Sequence, residues 1–256
     1  MAGHLLEIKD VTVSYNRVPA LHHLDLQLAC GHCVGLLGPN GAGKTTFLKA
    51  IAGLVPLETG EIKLHGKETR QSLREISYLP QRELVDWDFP ITVRGLVEMG
   101  RYPELGLWRR FTSRDCEIVD QALEALHLTE LADRQINALS GGQQQRAFLA
   151  RCWAQQAHVY LLDEPFNGLD RNAQADLREA LHELARRGKL IIASHHDLKS
   201  VPDLFDRILL LNGELVASGP LETAFTTPLI NKAFATRVFT GHEHEHHHDH
   251  DHEHSD

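Results

Sequence analysis

The run Gly38-Pro39-Asn40-Gly41-Ala42-Gly43-Lys44-Thr45-Thr46 has the spacing G-x-x-x-x-G-K-[ST]. Glycines in such a loop let backbone N–H groups converge on phosphate oxygens, and a helix starting there adds the positive end of its dipole. Lys44 is then placed to reach the β and γ phosphates of a nucleotide as a mobile point charge, and the Thr45 hydroxyl to ligate Mg²⁺. Further along, Val159-Tyr160-Leu161-Leu162-Asp163-Glu164 is an apolar run that ends in two acids. A strand ending this way holds Asp163 near the Mg²⁺, directly or through water, and sets Glu164 to orient and deprotonate an attacking water. Alone, an Asp-Glu pair at a strand end is more often a solvated turn; beside a phosphate loop it reads as phosphoryl-transfer chemistry.

Those groups need a sheet to carry them. Cys33 to Leu37 is a continuous apolar run closed by Gly38, the pattern of a strand buried on both faces, and a helix is expected from about Gly43 to Gly53. Val159 to Leu162 and Leu190 to Ala193 read as further buried strands. Between them lies an amphipathic helix from about Arg171, with Leu177, Leu181 and Leu184 on one face and Gly188 as its stop. Strands alternating with helices imply a parallel sheet covered on both sides. From Leu5 to Leu28 apolar and polar residues alternate in short runs, which predicts half-buried antiparallel strands. From Arg82 to Asn137 helix formers dominate, and Thr112 and Asp115 have capping-box spacing ahead of Ile118, Val119, Ala122, Leu123 and Leu126. The fold class is therefore α/β, a parallel-sheet core with an N-terminal antiparallel β subdomain and a helical subdomain inserted at about 82–150; with its phosphate loop the core resembles the P-loop, RecA-like class.

A chain of 256 residues, 42% apolar and 24% charged, has room for one large domain or two small ones. No apolar stretch is long enough to span a bilayer, and Met1 to Asp10 lacks the pattern of a secretory signal, so a cytosolic location with four reduced cysteines is expected. The net charge of −9 argues against nucleic-acid binding by bulk electrostatics. Most of that charge belongs to the C-terminal tail. His242, His244, His246, His247, His248, His250, His252 and His254 alternate there with six carboxylates, without which the net charge falls to −3.

The pentapeptide Leu139-Ser140-Gly141-Gly142-Gln143, lying between the phosphate loop and the Asp163-Glu164 pair, resembles the signature motif of ATP-binding cassette ATPases. Tyr15, Gln81, the Gly168-Leu169-Asp170 turn and His195-His196-Asp197 fall in the order that family uses, and the resemblance covers about Leu5 to Phe239. It implies ATP hydrolysis with Mg²⁺: Tyr15 stacking on the adenine, Gln81 sensing Mg²⁺ and the γ-phosphate, Glu164 as general base, and one histidine on the γ-phosphate. The residue directly before the aspartate is the usual switch, which selects His196, with His195 as the alternative. Ser140 and the N–H groups of Gly141 and Gly142 make a small anion-binding surface at the start of a helix that contains Gln144, Gln145 and Arg146. In the family this surface closes over the ATP held by the other subunit, which implies a homodimer.

The segment Val85-Asp86-Trp87-Asp88-Phe89-Pro90 is similar to the ATPases of bacterial zinc, manganese and chelated-iron uptake systems. That resemblance implies a membrane-spanning permease docked on the Arg82 to Tyr102 region, an extracytoplasmic metal-binding receptor, and a peripheral place on the cytoplasmic face of the bacterial inner membrane, with zinc as the expected cargo; the alternatives are manganese or chelated iron, or a soluble cassette ATPase with a metal-sensing tail. Trp87 and Phe89 are either anchors of that interface or part of the helical subdomain core. Imidazoles at alternating positions suit Zn²⁺, Ni²⁺ or Co²⁺, whereas Mn²⁺ prefers carboxylate and water, so the tail from 240 to 256, disordered by composition, is a candidate ligand set for zinc; a solvated tail without a task and a purification tag are the bland alternatives. Cys30-Gly31-His32-Cys33 has the spacing of a zinc or redox pair, but it stands alone and leads into a buried strand, so a structural role is expected.

Overall fold

A strand sends neighbouring side chains to opposite faces, so a run apolar at every position must be covered on both. The structure, a computed structural model, describes residues 5–81, 89–106 and 110–235. In chain order the strands are β1 (Leu5–Tyr15), β2 (Val18–Ala29), β3 (His32–Leu37), β4 (Thr59–Leu64), β5 (Lys67–Glu68), β6 (Ile76–Leu79), β7 (Val159–Leu162), β8 (Leu190–Ser194), β9 (Arg207–Leu211) and β10 (Leu215–Pro220). The helices that position the site are α1 (Lys44–Ile51), α2 (Val93–Glu98), α3 (Tyr102–Leu105), α4 (Ser113–Ala125), α5 (Gly141–Ala154) and α6 (Arg171–Arg186). The last of these gives way to Gly188 at φ +79°, as expected of its stop.

One sheet runs β10-β9-β3-β8-β7-β6, parallel except for β10 at its edge. Its central strands divide two cores between them. Val34, Leu36, Val159, Leu161, Leu190 and Ile192 pack with Phe47, Leu48 and Ile51 of α1 and with the second sheet. Cys33, Leu37, Tyr160, Leu162, Ile191 and Ala193 face the other way, toward α5 and α6. Each such aliphatic side chain contributes about 1.5–3 kcal/mol on burial, and a slip by one residue would exchange the two sets, so the alternation fixes the register. The second sheet, β2-β1-β4-β5, is antiparallel, with Leu6 paired to Leu28 on one side and Leu64 on the other.

Five of these strands, β4, β5, β6, β9 and β10, are not among those expected above, although Ile208 to Leu211 of β9 is a buried apolar run like β7. In β6 only four residues pair, and Ser77 and Tyr78 interrupt the apolar pattern. In the helical subdomain the predicted capping box is present: Thr112 N donates to Asp115 Oδ2 at 3.0 Å, and Thr112 Oγ1 accepts from Asp115 N at 3.4 Å. Asp115 also receives Arg101 Nε at 3.0 Å, and the same guanidinium reaches Ala154 O at 2.8 Å, so one buried cation ties α4 to the end of α5. No helix among the described residues is long and apolar enough to cross a membrane. Trp87 and the tail histidines lie outside the described residues.

Candidate functional site

The phosphate loop joins the C-terminal end of β3 to α1, and two of its glycines are required by geometry. A Cβ on Gly38 would sit 2.1 Å from Leu211 O. Gly43 caps α1 at φ +91°, where a Cβ would meet Leu21 Cδ2 at 2.6 Å and Ala20 O at 2.7 Å. Lys44 opens the helix, buried, with its ammonium donating to the carbonyls of Gly38 at 2.8 Å and Pro39 at 2.9 Å. Burial pulls its pKa below the usual lysine value, and the charges of Glu164 and Asp163 oppose that pull.

Residues 40–46 line a cleft of about 390 Å³ together with Tyr15, Gln81 and Glu164, groups brought from four distant points in the chain. Tyr15 is exposed and also borders an adjoining hollow shared with Val18 and Phe234, a more apolar surface that suits a flat ring. Gln81 follows β6 by two residues, and Asp163 N donates to Leu79 O at 3.0 Å, so the ends of β6 and β7 deliver Gln81 and the acid pair side by side.

Asp163 is 1% exposed. Its Oδ1 accepts from Ser194 Oγ at 2.6 Å, whereas Oδ2 is buried with no hydrogen-bond partner. A carboxylate oxygen removed from water without a donor is costly unless a cation meets it, so this atom, with the Thr45 hydroxyl lining the adjoining cleft, has donor chemistry that fits Mg²⁺. Glu164 adopts a left-handed backbone at φ 53°, its amide donates to Ser194 Oγ at 2.8 Å, and its Oε2 accepts from Asn167 Nδ2 at 3.3 Å. Ser194 thus bridges both acids. In the sequence its only mark is that it is the hydroxyl closing the buried run before the histidine pair.

His195 and His196 differ in environment. His195 is buried beside the rings of Phe166 and Phe205, with Nε2 2.7 Å from Ser200 Oγ, and burial lowers its pKa. His196 is exposed at the sheet's end. Neither His196 nor the segment Ser140 to Gln143 lines the cleft. Ser140 instead caps α5 at the surface, where its N–H donates to Gln143 Oε1 at 3.0 Å and its hydroxyl accepts from Gln143 N at 3.4 Å. One turn on, Gln145 Nε2 donates to Pro165 O at 3.3 Å, which ties α5 to the residue after Glu164.

Cys33 is buried in the core, where desolvation and the nearby Asp206 push its thiol far up, and all four cysteines are free, in keeping with a structural role for Cys30 and Cys33. Phe89 is 54% exposed and so is not a core residue; Met99 and Tyr102 are exposed as well.

Residues 21–167 match the ABC transporter family. The manganese transport system ATP-binding protein MntB of Bacillus subtilis strain 168 is 43% identical over 233 residues, 91% of this chain and 93% of the relative. The zinc transport system ATP-binding protein TroB of Treponema pallidum strain Nichols is 42% identical over 236 residues, 92% of this chain and 89% of the relative. Among solved structures, the ATP binding subunit of an ABC transporter superposes with a TM-score of 0.75 at 27% identity, over 85% of this chain and 90% of that one. A nucleotide-free ATP-binding cassette from an ABC transporter gives 0.79 at 20% identity, over 91% and 100%, a likeness of fold alone.

Proposed function

Because this chain belongs to the ABC transporter family, as its match and its relatives show, we propose that it is the ATP-hydrolysing subunit of a system that takes up a divalent transition metal, zinc in the finer reading. Its enzymatic activity is that of an ATPase. The single observation that carries the mechanism is the convergence of the phosphate loop with Gln81 and Glu164 beside the unpartnered Oδ2 of Asp163.

In this reading the loop's N–H groups and Lys44 bind the phosphates, and Tyr15 stacks on the adenine. Thr45, Gln81 and Asp163 would hold Mg²⁺, which neutralises charge on the β and γ oxygens when bound. Glu164 accepts a proton from water as the water oxygen bonds to the γ phosphorus; the bond to the ADP oxygen breaks, and ADP and phosphate leave. Of the two histidines the switch is assigned to His196, which is exposed at the sheet's end where His195 is held in the core; His196 stands outside the cleft of the single chain and reaches the γ-phosphate only in the closed, nucleotide-bound form. Since Ser140 to Gln143 lie outside the chain's own cleft, a second copy supplies them, giving two composite sites in a homodimer. Exposed Phe89, Met99 and Tyr102 support the Arg82 to Tyr102 region as the seat of a membrane-spanning permease; in this reading the chain works at the cytoplasmic face of the bacterial inner membrane, in a system with an extracytoplasmic receptor. No nucleic acid takes part.

Glu164→Gln tests the core of this. It is expected to keep ATP binding, lose about 10²–10⁴-fold in hydrolysis, and accumulate as a closed dimer in size-exclusion chromatography with ATP. Turnover at the parent rate would remove Glu164 from the role of base. Manganese is the second reading, favoured by the MntB relatives; the eight tail histidines favour zinc, since imidazole suits Zn²⁺ and carboxylate with water suits Mn²⁺.

A further inference from the structure

Away from the nucleotide cleft, His65, Glu75 and His158 meet at the surface, each partly buried. They come from three segments. His65 begins the turn between β4 and β5, Glu75 immediately precedes β6, and His158 immediately precedes β7. Backbone hydrogen bonds fix all three: His65 N to Leu5 O at 3.0 Å, His158 N to Glu75 O at 2.8 Å, and Leu190 N to His158 O at 2.9 Å.

The ligating atoms form a small triangle. His65 Nε2 lies 3.1 Å from His158 Nδ1, His158 Nδ1 lies 3.3 Å from Glu75 Oε2, and His65 Nε2 lies 3.6 Å from that same oxygen. Two ligands of a tetrahedral Zn²⁺ with bonds of about 2.0–2.1 Å are about 3.3–3.4 Å apart, which falls within this set of edges. The circle through the three atoms has a radius of about 1.9 Å, so an ion about 2.05 Å from each stands about 0.7 Å out of their plane, the offset of an ideal tetrahedron. Side-chain exposures of 21% for His65, 35% for Glu75 and 43% for His158 leave the fourth position facing solvent. Two imidazoles and one carboxylate favour Zn²⁺ or Co²⁺ over Mg²⁺, Ca²⁺ and Mn²⁺.

We propose that His65, Glu75 and His158 form a second-site receptor for a divalent ion of the zinc class, with one coordination position open to water. A bound ion joins the β4–β5 turn of the antiparallel sheet to the N-terminal ends of β6 and β7, the strands whose other ends lead to Gln81 and Asp163. Binding to the folded chain alone then raises its unfolding temperature by mass action. The site does not depend on which ion is transported, or on transport at all.

The test uses the full-length chain with its eight tail histidines replaced by asparagine, titrated with Co²⁺ and then Zn²⁺. The expected result is one equivalent of Co²⁺ with the intense visible absorption of four-coordination, displaced by Zn²⁺, and a higher unfolding midpoint with Zn²⁺ present. His65→Asn, which suits the left-handed φ of 53°, His158→Gln and Glu75→Gln should each weaken Zn²⁺ binding at least about tenfold. Their metal-free unfolding midpoints and ATP binding report that the fold is intact. The proposal is overturned if the parent binds no equivalent, if Co²⁺ gives only the weak bands of six-coordination, or if folded variants bind Zn²⁺ as tightly as the parent. A failure of the ATPase or transport reading would leave these measurements unchanged.

Discussion

Ser194 is the residue on which the geometry of both acids depends. Its hydroxyl donates its one proton to Asp163 Oδ1 and accepts the Glu164 amide, and it is fully buried, so water cannot replace it without rearrangement. Its removal leaves a second oxygen of Asp163 without a donor and frees the left-handed backbone at Glu164. Ser194→Ala is therefore expected to lower kcat about tenfold or more while ATP affinity, which the proposed mechanism assigns mainly to the loop and Lys44, changes little. A parallel loss of ATP affinity and kcat would show that Ser194 supports the whole sheet end rather than the acids. Most of the nucleotide-site residues named from the sequence reach the cleft or its border: Tyr15, Gln81, Asp163, Glu164 and the loop. What spacing does not encode is which of two adjacent histidines turns inward, because that depends on Phe166 and Phe205, supplied by other segments.

At the scale of elements, the capping box of α4 shows a local rule surviving into the tertiary structure. Thr112 bonds Asp115 with both its backbone and its side chain, and that hydroxyl is the first cause holding the Asp115 carboxyl below the usual range, with Arg101 adding to it. A depressed carboxyl stabilises the fold above its unfolded pKa of about 3.9 and ceases to do so as pH falls through its lower folded value. Thr112→Ala should thus cost about 1 kcal/mol near pH 7, measured by urea unfolding, and the gap from the parent should narrow below about pH 4. A cost that does not vary with pH would assign the effect to packing instead. The cap is readable because its partners are three residues apart. By contrast β6, β9 and β10 are defined by neighbours: β9 pairs with β3 across more than 150 residues of chain, and no local pattern announces that partner.

For the whole molecule, the transported ion is the property that separates the relatives, whose names divide between manganese and zinc. In cells lacking the gene and starved of metal, added Zn²⁺ at low concentration should rescue growth only when the gene is restored, while the need for Mn²⁺ stays unchanged. A deficit cured by Mn²⁺ alone would make the manganese reading the right one. The sequence alone makes the phosphate loop and the acid pair legible, as contiguous stretches whose chemistry follows from residue type and short spacing, whereas Leu139 to Gln143 is legible through its family resemblance. The sequence also determined the main buried strands, since an unbroken apolar run has no stable place except between two covering layers. Tertiary structure alone decided which of these stretches meet. The cleft brings Tyr15, Gln81 and Glu164 to the loop but leaves Ser140 outside, and the meeting of His65, Glu75 and His158 is invisible along the chain. Strand order and parallel register set those distances, and both are fixed by burial summed over many residues rather than by any short pattern.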